Sequence, residues 1–448
     1  MTSRVTDLAG CLAVGLLSLM ATPGAAPDPA VVDRAFAAFW SAPDAAAAAE
    51  RAEEVVRSGV TFDDALTRVT KGRQYAANVP RGLQRHTHRV PTAGRADGLE
   101  HQYAFTVPET YDPTRAYRVR VQLHGGVGRP AAADVQGIGR IPGDPDQIYV
   151  HPTGWDRSLW WAPTQVDHLA QTVDRLKRTY NVDENRIYLT GISDGGTGVY
   201  FMAFRDATLW SSFLPLNGHM MVLGNPDVGA DGQMFPGNAV NRPFFVVNGG
   251  LDRLYPAGRV RPYVEHLRAL GADVVFHVQA KAGHNTDWWP QEREAFDQFV
   301  NQHPRDPLPD RLSWETERTD RYNRMAWLII DRLGRTGGDA TLPDSNLLAS
   351  ASQALPIFWR DGESGRVDLE RKGNTIEAST RGIRALTLLL SPAEFDFSQP
   401  ITVKVNGRTA FQRRAEPSVA TLMKWAARDN DRTALFGAEV PIKVGDGL

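Results

Sequence analysis

Five residues, Gly191-Ile192-Ser193-Asp194-Gly195, with Gly196 behind them, form the strongest chemical signal in this sequence. A serine hydroxyl is a weak nucleophile until a tight turn exposes it and a neighbouring base takes its proton. The apolar run Ile187-Tyr188-Leu189 leads into the motif, and a helix-compatible stretch at 199–204 leaves it. This strand–turn–helix context predicts Ser193 at an elbow, with a helix N-terminus aimed at a developing oxyanion. Glycines are required where the adjoining turns come too close for a Cβ. An ordinary Gly-rich turn is the plainer alternative, and the partner motifs weigh against it.

Those partners follow in order. His124-Gly125-Gly126 stands directly after a strand-like run at 119–123. A glycine pair there lets a backbone N–H face a substrate carbonyl and form an oxyanion hole together with the amide of Asp194. His124 itself is expected to be structural. Asn248-Gly249-Gly250-Leu251-Asp252 follows an apolar strand at 244–247, which places the Asp252 carboxylate where it can orient a histidine. The plainer alternative for Asp252 is a turn or cap residue. Ala282-Gly283-His284-Asn285-Thr286 follows a strand at 274–278 and offers His284 as general base, the alternative being a surface-loop histidine. The order Ser193, Asp252, His284 differs from both the His-Asp-Ser and the Asp-His-Ser orders of other serine enzymes. Tryptophans crowd the same loops: Trp155, Trp160 and Trp161 follow 147–151, and Trp288 and Trp289 follow His284. Trp160, Trp161 and Trp288 are expected to contact substrate by ring stacking, with packing under the loops as the alternative.

Residues 100–303 resemble a secreted α/β-hydrolase of the esterase D, feruloyl esterase and polyhydroxyalkanoate depolymerase kind. They are similar also to the catalytic domain of prolyl-oligopeptidase-type (S9) enzymes. The resemblance rests on 103–113 (YAFTVPETYDP), Val121-Gln122-Leu123-His124-Gly125-Gly126, the run 180–188 (YNVDENRIY) and the Ser193 motif. It covers a little under half the chain. It implies Ser193 as nucleophile, Asp252 as acid, His284 as base, and backbone oxyanion donors at Gly125 or Gly126 and Asp194. It implies an acyl-enzyme route without cofactor or metal, and no metal-ligand motif such as H-E-x-x-H occurs. An ester of a carbohydrate, aryl group or polymer is the expected substrate. An S9-type peptidase shares every catalytic part and stays open, as does a catalytically inactive binding or adhesion protein. A peptidase should hold a substrate N-terminus through a carboxylate pair; Glu53-Glu54 is the one Glu-Glu dipeptide before the domain, and it sits on a predicted helix as a solvent-facing pair.

The elements that must position these residues are readable from periodicity. A run of strands alternating with helices over 100–303 predicts a mostly parallel sheet with helices on both faces. Ahead of it, residues 27–99 read as an Ala-rich helical extension, whose sharper interpretation is a lid over the cleft. The Pro-rich stretch 304–312 reads as a stiff linker, and 313–448 as a small β-sandwich-like domain with an Asn406-Gly407 hairpin and one helix at 417–427. Residues 1–26 read as a signal peptide: Arg4, an apolar run at 8–21, then small residues. Export to the periplasm or medium follows, with no stable membrane span after cleavage. Cys11, the single cysteine, begins the apolar run and so does not suit a lipoprotein anchor; its removal would leave no thiol. At 448 residues, 42% hydrophobic and 23% charged with a formal net charge of −2, the chain is an ordinary globular one. It lacks the basic field that nucleic acid would require.

Overall fold

A computed structural model describes residues 27–92, 94–128, 144–225, 230, 234–334, 348–350, 353–356 and 364–445. Residues 1–26, read above as a signal peptide, and Cys11 among them lie outside the described residues. Three helices come first: α1 (Pro29–Trp40), α2 (Ala45–Arg57) and α3 (Phe62–Lys71), each capped by a side chain, Asp28, Asp44 and Thr61 in turn.

The central sheet has eight strands. They are β1 (Gly82–Thr92), β2 (Arg95–Val107), β3 (Tyr117–Leu123), β4 (Gln147–Pro152), β5 (Val182–Ile192), β6 (Phe213–Leu216), β7 (Phe244–Gly249) and β8 (Val274–Gln279), in spatial order β1-β2-β4-β3-β5-β6-β7-β8. From β4 to β8 every neighbour is parallel, while β1 and β2 add an antiparallel edge. Helices α4 (Pro163–Thr179), α5 (Asp194–Arg205) and α6 (Ala257–Ala269) are crossovers between its parallel strands, and α7 (Trp289–Gln302) follows the last of them. The fold is the α/β-hydrolase fold, and β7, buried on both faces, reads as an apolar run over Phe244-Phe245-Val246-Val247 for that reason.

Two boundaries differ from the sequence expectation. The helical extension ends at Lys71, and its expected continuation to residue 99 holds the long β1–β2 hairpin, paired from Gly82↔Val107. The alternation along β1 is polar and half-exposed, so period alone did not mark it as part of the sheet. The stretch 304–312 is no free linker: Arg305 is buried and ion-paired to Asp431 at 2.6 Å, Leu308 is buried, and a strand begins at Arg311.

Beyond it, among the described residues, lie a two-stranded sheet of Leu348–Ser350 with Gln353–Pro356 and two larger ones. Arg311–Thr316, Gly365–Lys372, Thr375–Arg381, Ile401–Val405 and Arg408–Arg413 form one. Arg324–Met325, Leu328–Leu333, Ile383–Leu390 and Ala438–Lys443 form the other. The Asn406-Gly407 turn joins its two strands with φ of 50° and 77°, the left-handed pair such hairpins need. The two larger sheets share one continuous apolar core with the hydrolase sheet, from Tyr103 to Val444. Helix α8 (Val419–Asp429) takes α1–α3 as its partners: Val32, Phe36, Phe39, Val55 and Val69 pack with Leu422, Met423 and Leu435 in a second core. The first three helices thus bind the end of the chain and do not form a lid.

Candidate active site

Ser193 sits between β5 and α5 with φ 56° and ψ −119°. A side chain in that region is strained by about 1–3 kcal/mol, and it persists because the surroundings leave no alternative. The Ser193 amide donates to Leu216 O at 3.0 Å and its carbonyl accepts from Thr197 N at 3.0 Å. A Cβ on Gly195 would lie 2.3 Å from Leu123 O, so the helix start is pressed onto the end of β3.

His284 completes a relay. Its Nε2 lies 2.8 Å from Ser193 Oγ, and its Nδ1 lies 2.7 Å from Asp252 Oδ2. A carboxylate only accepts, which puts the proton on Nδ1 and leaves Nε2 free to take the serine proton. The other carboxylate oxygen, Oδ1, accepts from Leu254 N at 2.8 Å and Tyr255 N at 2.9 Å. Asp252 therefore has both oxygens engaged, and its side chain is fully shielded while that of His284 stays 23% accessible. The ring of Tyr255 meets His284 edge-on at 5.5 Å. Burial, reinforced by the charges of Asp194 and Asp252, pushes the Tyr255 phenol up to about 12, so it stays a neutral wall.

Gly125 and Gly126 come to the same place. A Cβ on Gly125 would be 2.9 Å from Ser193 Cβ, and Gly126 has φ +71°. This loop is pinned from three sides. Asp194 Oδ2 accepts from Val127 N at 3.0 Å, His124 Nε2 accepts from Gly154 N at 3.0 Å, and Trp160 Nε1 donates to His124 O at 2.8 Å. The amide of Asp194 opens α5, where first-turn N–H groups have no intrahelical acceptor. His124 is structural, as expected.

The tryptophans do something else than expected. Trp160 is fully buried and its indole packs on Gly154 and Gly198; Trp161 joins the same core, and Trp288 packs with Tyr188, Phe245 and Phe296. No indole face among these three is open for ring stacking, because each fills space beneath a loop. Sequence reasoning missed two exposed apolar side chains beside Asp252. Leu251 and Leu254, 66% and 63% exposed, flank Asp252 and are the most exposed large apolar residues described. Apolar residues bracketing Asp252 on a turn were the available signal.

No known family model matches the chain. It is 26% identical over 146 residues to a bifunctional acetylxylan esterase/xylanase of Neocallimastix patriciarum, covering 32% of this chain and 19% of that one. The chain thus spans about a fifth of the length of that curated relative. Among solved structures it is similar to a thermostable esterase, with TM-score 0.38, 20% identity, and 50% and 63% of the two chains covered. It is similar also to an acylaminoacyl peptidase bound to a chloromethyl ketone, with TM-score 0.40, 17% identity, and 50% and 42% covered. No helix among the described residues is long and apolar enough to cross a membrane.

Proposed function

We propose that this chain is an exported serine hydrolase that cleaves carboxylic esters through an acyl-enzyme. The observation that carries the reading is the unbroken Ser193–His284–Asp252 relay at 2.8 and 2.7 Å on a strained elbow. His284 Nε2 removes the Ser193 proton as Oγ attacks the carbonyl carbon. The tetrahedral oxyanion is held by backbone amides of the Gly125-Gly126 turn and Asp194. His284 then protonates the leaving alcohol, and water attacks the acyl-enzyme by the reverse steps. Asp252 keeps the ring oriented and stabilises the imidazolium without taking the proton.

An ester is favoured over a peptide because the dipeptide that could hold a peptide N-terminus is placed elsewhere. Glu53 and Glu54 are exposed on α2, and Glu53 pairs with Arg57 at 3.9 Å. The exposed Leu251 and Leu254 beside Asp252 suit aryl or aliphatic esters. Export rests on the composition of residues 1–26. The test is fluorophosphonate labelling of the purified protein together with hydrolysis of p-nitrophenyl esters, feruloyl and acetyl sugars, polyesters and aminoacyl amides. Labelling and ester turnover should both vanish in Ser193→Ala, with a loss on the order of a million-fold in kcat. A variant that keeps a tenth or more of the activity, or a wild type that cleaves only the amides, overturns the proposal.

A further inference from the structure

Asn217, the residue after β6, lies outside the relay, and its side chain bonds the chain at both of the relay's loops. It is fully buried and takes φ 47°, the left-handed region. Its Nδ2 donates to the carbonyl of Asn285 at 2.7 Å, the residue next to His284. Its Oδ1 accepts from Gly249 N at 3.1 Å, three residues before Asp252. Its own amide donates to Val247 O at 2.7 Å at the end of β7. A neighbour braces the same seam: Asn248 Nδ2 donates to Gly218 O at 3.2 Å and Tyr255 O at 3.3 Å.

On the N-terminal side of His284 the two loops are already fixed to each other, with Gly249 and Gly250 pressed against the backbone of Ala280, Ala282 and Gly283. They leave β7 and β8 separately, joined by Leu251 N to Ala282 O at 2.9 Å and Gly250 N to Gln279 O at 2.8 Å. Both of those bonds precede His284 in its loop. The Asn217 bond is made after it, so the histidine is held from both flanks. Asn suits the place twice over: it tolerates left-handed backbone, and it carries a donor and an acceptor on one planar group.

We infer that Asn217 is a positioning residue for the relay, setting His284 against Asp252 and Ser193 by clamping the two loops to the end of β6. The inference rests on the reading of Ser193 as nucleophile. Misplacing a base by about 1 Å costs on the order of 10²-fold in rate, so a loosened loop has a large kinetic consequence.

The test uses Asn217→Gly and Asn217→Asp in the full chain. Glycine removes both side-chain bonds and relieves the left-handed backbone. Aspartate keeps the size and the acceptor but turns an oxygen toward the Asn285 carbonyl. Active sites are counted by the amplitude of fluorophosphonate labelling, and the rate constant of labelling is read separately, with kcat and KM on p-nitrophenyl butyrate beside it. Both variants should label to full amplitude but about 10- to 100-fold more slowly, with a matching fall in kcat and KM within about twofold. A merely structural Asn217 would lower the amplitude and the Tm and leave the rate per active site unchanged, which overturns the inference. So does an Asn217→Gly variant with the wild-type rate. If glycine unfolds the protein, Asn217→Asp alone decides by the same rate constant. A wild type that never labels at Ser193 overturns the nucleophile reading and this inference with it; a wild type that labels, with variants equally fast, overturns this inference alone.

Discussion

Replacing Asp252 by asparagine is the change whose cost the geometry defines most sharply. The carboxylate accepts three N–H groups: Leu254 and Tyr255 amides at Oδ1, His284 Nδ1 at Oδ2. An asparagine has one oxygen and one NH2, so one side must be wrong. With its oxygen toward the two amides, the NH2 faces His284 and forces Nδ1 to accept. The ring proton then moves to Nε2, which points at Ser193 Oγ 2.8 Å away and can no longer take its proton. With the amide flipped, His284 keeps the right tautomer but two buried N–H donors face an NH2. Each orphaned donor costs about 1–3 kcal/mol, hence roughly 2–6 kcal/mol against the productive arrangement. At about 1.4 kcal/mol per tenfold this predicts a kcat some 30- to 10⁴-fold lower. The assay is steady-state hydrolysis of p-nitrophenyl butyrate, with labelling rate and Tm in parallel. A folded Asp252→Asn protein within about fivefold of wild type would refute the tautomer argument and with it the role given to Asp252.

Other substitutions separate packing from contact. Trp160→Phe deletes the donor to His124 O while filling most of the space, so kcat should drop several-fold to tenfold on acetate and bulky esters alike; a rise in KM confined to bulky esters would restore the stacking role. Leu251→Ala with Leu254→Ala should raise KM for phenyl-ring or long-chain esters by several-fold, leave p-nitrophenyl acetate within about twofold and not lower Tm, since both side chains are exposed; equal KM values across chain length would remove the leucines from the substrate path. His88 and His101 pack with His168 between the β1–β2 hairpin and α4, and burial depresses the first two to about 4 and His168 well below its usual value. Their unfolded forms take protons below about pH 6.5 and the folded forms resist them, so stability falls as pH drops from about 6.5 toward 4; a Tm flat across that window would contradict it.

The relay was legible because α/β-hydrolase geometry writes it locally. Each of Ser193, Asp252 and His284 follows the C-terminal end of a strand whose apolar run is plain in the sequence, and parallel strands bring those ends to one edge. The parallel strands except β6 and all the crossover helices were marked by period and flanking glycines. Several things were not legible, the whole β1–β2 hairpin among them. β1 escaped because its half-exposed face carries His86, His88 and Gln84 in place of apolar residues. β6 escaped because Phe213–Leu216 is four residues long and holds a proline, and Asn217, which follows it, looks like any turn residue until its partners are known. The role of Trp160 escaped because an indole signals large apolar area from sequence alone, while its packing on Gly198 and its bond to His124 O depend on how the turns meet.

The pairing of α1–α3 with α8 also orders events in time. A ribosome makes α1–α3 before α8, and the apolar faces of the first three helices then have no partner until Leu422, Met423 and Leu435 arrive. The central sheet can close in the meantime, but the belt around it is fastened last. Contacts of such long sequence separation form slowly and leave apolar surface open on the way. A chain truncated just before residue 419 would lose the partner face of α1–α3 together with Asp431 and the strand Ala438–Lys443, and would be expected to aggregate through the apolar surfaces so exposed.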